Sequence, residues 1–301
     1  MQNYFDYSPE VRDALDDNKP VLALESTVIT HGLPYPQNLE TGLALEQIAR
    51  EYKVTPATIA IMNGKIKIGL STQELEFLAQ DKSVVKASKR DLPVVLSQKI
   101  SAGTTVAATL FCAAAAGIRV FSTGGIGGVH RGDAQDISAD LIELANTPVA
   151  VVCAGAKAIL DLPRTLEFLE TYSVPVVGFR TDTLPAFYTE KTNYKLPIRV
   201  DDIPTLVAML KILWQLHFNS GMLIANPIPT IDSIPTEIIE PVIAAAIKEA
   251  NEKGITGKDI TPFLLSEVAY ATEGKSQQAN ISLIKNNVRV GAELAYHLAH
   301  H

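Results

Sequence analysis

The sequence predicts an α/β protein in which short apolar strands alternate with longer amphipathic helices. Apolar runs at 21–25, 174–179 and 221–225 have the length and composition of buried strands. Segments with helical periodicity separate them, and this alternation is typical of sheets covered by helices. Polar residues or glycines follow several strand ends, which is where open α/β sheets bind ligands. A chain of 301 residues, 47% of them hydrophobic, can bury one large core, so we expect a single domain over residues 1–301.

The pattern of apolar residues and turn signals gives the elements in order. Helices are predicted at 9–15, 38–52, 72–80, 103–116, 203–219, 235–253 and 261–272. Three further helices are predicted by one end only: one begins at 138, another finishes over 166–172, and the last begins at 276. Strands are predicted at 21–25, 58–62, 66–70, 118–121, 148–157, 174–179 and 221–225, whereas the basic segment 84–91 is either a strand or a loop. Asn63-Gly64 predicts a hairpin between the second and third of these strands, and Asn38 is predicted to cap its helix. The segment 183–196 is predicted to be irregular and able to form a lid, and the histidines at 297, 300 and 301 a frayed terminus rather than a metal site.

Composition excludes some classes of function. The 26 basic and 33 acidic residues leave a net charge of −7, so the chain has no general attraction for nucleic acid or anionic membranes. We therefore expect small-molecule partners. Cys112 and Cys153 lie in apolar segments, which favours buried, reduced thiols and a cytoplasmic location. No basic-then-apolar signal opens the sequence, and the apolar run at 104–118 is too short and alanine-rich to span a bilayer.

Glu25 ends a predicted strand whose other residues are apolar. Burial raises the pKa of a glutamate toward neutrality, which is the condition for a general acid. The alternative is a structural glutamate, whose charge is satisfied by the hydroxyls of Ser26 and Thr27 or by a nearby cation. This segment alone favours neither interpretation.

Two segments have the features of a phosphate site. Lys86 and Ser88 face the same side if they lie on a strand, which puts a point charge beside a hydroxyl donor. A helix opening at 103–106 offers free N-terminal amides next to the hydroxyl of Thr105. A solvated basic loop is the alternative for the first segment, but the two features together favour a phosphorylated ligand.

Residues 120–163 contain the densest group of chemical signals. Thr123 precedes four glycines in the five residues 124–128, which allow the backbone to approach a ligand closely. Asp136 and Asp140 share a face if Ser138 caps a helix, and two carboxylates can hold a divalent cation, although a solvated helix start is the more common arrangement. The dinucleotide fingerprint is not matched, because His130 replaces its third glycine.

Lys157 ends the apolar run at 148–157. Its small apolar neighbours would partly remove the ammonium from water, which favours a neutral, nucleophilic amine. An ordinary surface lysine is the alternative.

Taken together, these motifs resemble the pseudouridine-5'-phosphate glycosidases, a family that includes indigoidine synthase A-like proteins. The resemblance covers nearly the whole chain. It runs through ALESTVITHGLPYPQNLET (23–41), KASKRDLP (86–93), SAGTTVAAT (101–109), STGGIGGVHRG (122–132), DISADL (136–141), VVCAGAKAILDLP (151–163), PAFY (185–188), ANPIP (225–229), GKDITPFLL (257–265) and ANISLIKNN (279–287).

The resemblance implies a three-layer α/β/α sandwich around a mixed, largely parallel central sheet, assembled as a homotrimer. It implies reversible cleavage of the C–C glycosidic bond of pseudouridine 5'-phosphate to uracil and ribose 5-phosphate. Lys157 would form an imine with C1′ of the sugar, Glu25 would donate a proton, and Asp136 would bind one divalent ion, Mn²⁺. The implied contacts to phosphate, sugar and base are Lys86, Ser88, Thr105, Val106, Thr123, His130, Ser138, Asp140 and Asn280.

The chemistry agrees with these residue types. A carbon leaving group has no lone pair to accept a proton, so the two-carboxylate mechanism of ordinary glycosidases fails. A lysine imine supplies the electron sink instead. The loop at 131–135 is shorter than in typical members, which makes Asp133 a further candidate metal ligand.

Two alternatives to this function remain open from the sequence. One is a C-glycosynthase that uses a related carbon acceptor on the same scaffold. The other is a sugar-phosphate binding protein without catalysis, against which the presence of both Glu25 and Lys157 argues.

Overall fold

Short strands and longer helices alternate along the chain, as the sequence predicts. The computed structural model describes residues 2–131, 136–255, 257 and 260–300. Its strands are β1 (Phe5–Tyr7), β2 (Val21–Leu24), β3 (Thr55–Met62), β4 (Lys65–Ile68), β5 (Val85–Ala87), β6 (Ala102–Thr104), β7 (Val120–Ser122), β8 (Val129–His130), β9 (Ala150–Cys153), β10 (Leu160–Asp161), β11 (Val176–Phe179), β12 (Ile198–Val200) and β13 (Met222–Ala225). Its α-helices are α1 (Pro9–Asp16), α2 (Gln37–Glu51), α3 (Thr72–Gln80), α4 (Leu92–Ser97), α5 (Val106–Ala115), α6 (Ala139–Asn146), α7 (Leu162–Thr171), α8 (Ile203–Gln215), α9 (Thr236–Glu252), α10 (Ile260–Ala271) and α11 (Lys275–His300).

The central sheet is mixed and largely parallel, which confirms the predicted fold class. Its main path follows the order β1-β4-β3-β2-β7-β9-β13-β11-β12. The antiparallel pairs of this sheet all involve β3, which pairs with β4 through the predicted Asn63-Gly64 hairpin and with β6 through Ala60 and Ile61. From β2 to β12 every pair in the path is parallel, so the carboxyl ends of these strands lie at one edge.

Helices cover the sheet on both faces. One layer contains α2, α8 and α11, with α11 also in contact with β2, β7 and β9, and the other contains α5, α6 and α7. The central strands β2, β7, β9 and β13 are buried along their whole length, as expected for parallel strands covered on both faces. No helix in the described ranges is long and apolar enough to cross a membrane.

Two predictions about helix ends are wrong. Asn38 does not cap α2, because it lies inside the helix, buried, and its Nδ2 donates to the carbonyls of Ile29 and Ala79 at 2.8 Å each. The last histidines do not form a frayed end, because α11 continues to His300, whose ring stacks on Tyr296 with 4.2 Å between centroids. Position 301 lies outside the described residues.

Other predictions about packing are confirmed or refined. Both cysteines are free and buried, and burial raises the pKa of Cys112 and Cys153 to about 12, so neither thiol is reactive at neutral pH. The segment 183–196 is irregular, but Phe187 and Tyr188 in its centre are each only 2% exposed. The centre of this segment is therefore fixed in the core, and a lid motion would be restricted to its ends.

Candidate active site

A cavity of about 340 Å³ opens at the carboxyl ends of the central strands. Glu25 follows β2, the glycine run follows β7, and Lys157 lies beyond β9. The predicted site residues that line this cavity are Glu25, Lys86, Ser88, Thr105, Val106, His130, Asp136, Ser138, Asp140, Lys157 and Asn280. The fold thus brings together side chains that are up to 255 positions apart in the sequence (280 − 25 = 255).

Glu25 lies at the base of the cavity, and its remaining exposure faces that cavity. Burial raises the pKa of Glu25, whereas the ammonium of Lys157 and a hydrogen bond from Thr123 oppose the increase. Thr123 is fully buried and does not line the cavity, and its hydroxyl donates to Oε1 of Glu25. The structure thus connects Thr123 to the acid, whereas its predicted contact to substrate stays a prediction.

The hydroxyls that could have satisfied Glu25 bind elsewhere. Ser26 donates to the carbonyl of Ile59 at 2.6 Å, and Thr27 donates to the carbonyl of Thr104 at 2.7 Å. The interpretation of Glu25 as a glutamate satisfied by these two hydroxyls is therefore wrong. The same interpretation also allowed a nearby cation to satisfy Glu25. The charge of Lys157, which lowers the pKa of Glu25, agrees with that possibility.

Backbone pairing beyond the strand ends determines the position of Lys157. The amide of Ile126 donates to the carbonyl of Gly155, and the amide of Lys157 donates to the carbonyl of Ile126, both at 3.1 Å. These bonds extend the parallel pairing of β7 with β9 into the two loops. Gly155 has φ +78°, and a side chain there would overlap the carbonyl of Pro185, so only glycine permits this path.

Asp140 braces the glycine run against α5. It is 6% exposed, its Oδ1 accepts from the amide of Ala107 at 2.9 Å, and its Oδ2 accepts from the amide of Gly127 at 2.8 Å. A Cβ on Gly127 would overlap Ser138 and Asp140. The glycine run thus serves close packing as well as the predicted approach to a ligand.

Ser138 caps α6 as predicted, accepting from the amide of Asp140 at 3.2 Å. Asp136 precedes this cap, so the two carboxylates do not share a helical face, and that prediction is wrong. Both still line the cavity, from opposite sides of Ser138 in the chain.

The side of the cavity predicted to bind phosphate contains Lys86 on β5 and Ser88 just after it. Thr105 caps α5 by accepting from the amide of Ala108 at 3.4 Å. Two of the first three amides of α5 already have partners, because Ala107 donates to Asp140 and Ala108 donates to Thr105. Among the described residues, the amide of Val106 has none. The start of α5 therefore offers fewer free amide donors than expected from the sequence. Arg90, which was not predicted as a site residue, also lines this cavity and adds a guanidinium group.

His130 and Asp136 face each other across a short antiparallel pairing. The Nδ1 atom of His130 lies 3.9 Å from Oδ2 of Asp136, and the amide of His130 donates to the carbonyl of Asp136 at 2.9 Å. Burial lowers the pKa of His130 and Asp136 opposes this, whereas Lys157 and Lys86 lower it further. The loop that connects the pair, including Asp133, lies outside the described residues.

Helix α11 lines part of the cavity and supports the loops that follow β7 and β13. Asn280 lines the cavity and is 8% exposed. Asn287 is fully buried, and its Nδ2 donates to the carbonyls of Thr123 and Gly124 at 2.8 and 3.2 Å, while its Oδ1 accepts from Nδ2 of Asn226 at 2.9 Å. The sequence analysis missed this role, although asparagines in an amphipathic helix were its signal.

His31 also belongs to the cavity, although no site role was predicted for it from the sequence. It lines the cavity, and its Nδ1 lies 2.7 Å from the hydroxyl of Thr30. Its position in the motif at 23–41 was the available signal.

Comparison with known proteins identifies the family and agrees with the fold. The family described as indigoidine synthase A like protein matches residues 10–297. The chain belongs to this family. The chain is 59% identical over 300 residues to a pseudouridine-5'-phosphate glycosidase from Caldanaerobacter subterraneus. The match covers 99% of this chain and 98% of that protein. It is 55% identical to a protein of the same name from Clostridium botulinum, with the same two coverages.

Solved structures give the same result. The prealnumycin C-glycosynthase AlnA, in complex with ribulose 5-phosphate, matches with a TM-score of 0.90 and 38% identity over 98% of this chain and 97% of its own. An indigoidine synthase A-like protein from Thermotoga maritima matches with a TM-score of 0.88 and 35% identity over 94% of each chain. The resemblance inferred from the sequence motifs is confirmed.

Proposed function

We propose that this protein is a pseudouridine-5'-phosphate glycosidase that uses a lysine imine. The names of the relatives that are 59% and 55% identical over nearly full length support the reaction. One observation in the site carries the proposal: a carboxyl group with a raised pKa and a lysine act on each other at the base of one cavity. An acid beside an amine is what a C-glycoside requires, since protonation of the leaving carbon alone does not break the bond.

Lys157 is the nucleophile in the proposed reaction. Its Nζ attacks C1′, and the C1′–O4′ bond breaks while O4′ takes a proton, so that the ribose opens. The nitrogen lone pair then forms the C1′ iminium as the bond from C1′ to C5 of uracil breaks, and its electrons pass into the uracil ring, which is protonated at C5. Water hydrolyses the imine to ribose 5-phosphate and free lysine.

Glu25 supplies a proton in this sequence. Both O4′ and C5 of uracil take up a proton, and a carboxyl group whose pKa is raised by burial can supply either one. The nearby ammonium of Lys157 must lose its proton before it attacks, and the carboxylate form of Glu25 is an acceptor within its electrostatic reach.

Asp136 fits a divalent ion that is held by few protein ligands. Its carboxylate is 37% exposed and faces the cavity, whereas both oxygens of Asp140 already accept backbone amides. The described residues contain no group of three or more His, Cys, Asp or Glu that could hold a metal, so water and substrate oxygens would complete the shell, as is common for Mg²⁺-like ions. We propose Mn²⁺ there, where it would orient oxygen atoms of the substrate.

A second function is supported by one observation. The solved structure with a TM-score of 0.90 is named a C-glycosynthase, and it carries ribulose 5-phosphate. A related enzyme here would join a sugar phosphate to another carbon acceptor on the same lysine. Assays with uracil and with other acceptors after adduct formation distinguish the two functions.

The proposal predicts a covalent adduct on Lys157. Incubation with ribose 5-phosphate and borohydride should reduce the imine to a stable amine, which intact-protein mass spectrometry and peptide mapping detect. Lys157→Ala should lose the adduct and reduce turnover of pseudouridine 5'-phosphate by about 10⁴-fold or more, since a covalent nucleophile is absent. An active alanine variant would contradict the imine mechanism.

Lys89→Ala is the matched control. Lys89 pairs with Glu143 at 2.7 Å and does not line the cavity, so its loss should leave the adduct and turnover unchanged. If the folded wild type forms no adduct with Mn²⁺ supplied, the binding-protein alternative gains support.

A further inference from the structure

A second cavity of about 220 Å³ adjoins the candidate active site. It lies between the segment 31–34, α10 and the start of α11. The residues that line both cavities are His31, Gly32, Pro262, Leu265 and Asn280. The two cavities are thus adjacent, and these five residues form the wall that they share.

The second cavity adjoins the non-phosphate part of the site. Lys86, Ser88 and Thr105 line the first cavity and not the second. In the proposed function these groups hold the phosphate of the nucleotide. The base of a nucleotide bound in this way would extend away from them, toward the residues that both cavities share. Whatever occupies the second cavity therefore lies beyond the base end of the substrate.

The lining of the second cavity indicates an uncharged ligand. Among the described residues, it contains no Lys, Arg, Asp or Glu side chain, and His31 is its one member that can carry charge. Tyr188, Pro262 and Leu265 supply apolar side chains, and Ser266, Ser276, Gln277 and Asn280 supply uncharged polar ones, a mixture that suits a planar organic ring with polar edges. A phosphate or a sugar phosphate would meet no Lys or Arg side chain there.

Two carboxamides on α11 provide the polar contacts. Gln277 and Asn280 are three positions apart in a helix, so they face the same side. In the ranges that the structure describes, neither side chain has a hydrogen-bond partner. A carboxamide offers both donors and an acceptor, which matches the alternating C=O and N–H groups of a pyrimidine imide edge.

We propose that the second cavity is a subsite for the free base, a planar heterocycle with an imide edge such as uracil, and that Gln277 is its main polar contact. The inference rests on the proposed function. After the bond to C1′ breaks, the base moves across the shared wall into this cavity before it leaves, and in the synthetic direction it enters by the same way.

The test uses the synthetic direction at saturating ribose 5-phosphate. Gln277→Ala should raise KM for uracil by about three- to tenfold, because one hydrogen bond to the base is lost. The borohydride-trapped adduct of ribose 5-phosphate with Lys157 should form as in the wild type, since the sugar does not occupy the second cavity. Gln278→Ala is the matched control, because Gln278 is exposed and lines neither cavity.

A second variant fills the cavity instead of removing a contact. Ser266 is exposed at the rim, so Ser266→Trp can occupy the space without replacing a residue of the first cavity. It too should raise KM for uracil and leave the adduct intact. If KM for uracil in both variants equals that of Gln278→Ala, the subsite is overturned while the proposed function stands. If the folded wild type neither forms the adduct nor couples uracil, the proposed function itself fails.

Discussion

The surroundings of Glu25 act on the pKa of its carboxyl group in opposite directions. Its carboxyl group follows a fully buried strand, and burial raises its pKa, while one hydroxyl and one ammonium limit the increase. A raised carboxyl pKa is what a general acid requires. In the proposed mechanism the donor from Thr123 therefore influences the acid, although it does not reach the cavity.

Thr123→Val should shift the pH dependence of the reaction. The hydroxyl stabilises the carboxylate form of Glu25, so its removal raises the pKa of Glu25 further. An enzyme that needs the protonated acid loses activity as pH rises through this pKa, so the alkaline limb of kcat/KM should move to higher pH. The pH–rate profile measures this, and the shape-matched valine keeps the packing.

Thr147→Val is the control for this change. Thr147 also donates to a buried carboxylate, Oε1 of Glu143 at 2.7 Å, but neither residue lines the cavity. It should lower stability without moving the pH profile. An equal shift in both variants would mean that the effect on Glu25 is not local.

Asp136→Ala should lose the divalent ion. We expect its Mn²⁺ affinity, measured by calorimetry on the folded protein, to fall below detection, together with most of the activity. Asp182→Ala, which removes an exposed carboxylate outside the cavity, should bind Mn²⁺ as the wild type does. Unchanged binding in Asp136→Ala would move the proposed site to Asp133 or Asp140.

At the scale of elements, α11 connects the strand ends that carry the site. Asn287 joins the loop after β7 to Asn226 after β13, and Asn286 donates to the carbonyl of Pro227 at 3.0 Å. The same helix packs close to β7, where a side chain at Gly291 would overlap Ser122. The helix therefore supports the loops that hold Thr123 and the glycine run.

Asn287→Ala should destabilise the protein by about 2–3 kcal/mol, because two carbonyls and one amide lose their buried partner. Asn286→Ala removes one bond in a partly buried position and should cost about 1 kcal/mol or less. Urea unfolding of both variants provides the comparison. Equal losses would show that Asn287 has no special role in holding the loops.

At the scale of the whole molecule, the protein is an acidic α/β sandwich, and its candidate active site opens at one edge of the central sheet. Large apolar side chains remain at its surface, among them Ile231 at 92% and Tyr270 at 86% exposure. Single exposed apolar side chains are also common on monomers. The homotrimer that the family resemblance implies therefore stays a prediction.

Light scattering after size-exclusion chromatography should therefore give three times the mass of the chain. The ratio should hold over a range of protein concentrations if the trimer is stable, since dissociation of an oligomer depends on concentration. The mass of a single chain at all concentrations would contradict the prediction.

The order and type of most elements follow from the sequence, because apolar period and turn residues are local signals. The hairpin at Asn63-Gly64, the helix Thr72–Gln80 and the cap at Ser138 are examples. Asn38 was misassigned because its amide has partners 9 and 41 positions away, at Ile29 and Ala79, which no local pattern reveals.

The sequence by itself determined the fold class, the family and the identity of the candidate acid and nucleophile, because these depend on residue types and on motifs read along the chain. Only the tertiary structure decided what those residues touch. It joined Thr123 to Glu25, used both oxygens of Asp140 for backbone amides, and placed Asn287 between two loops. Such contacts join distant segments, and their partners are chosen by how the sheet and its two helical layers pack.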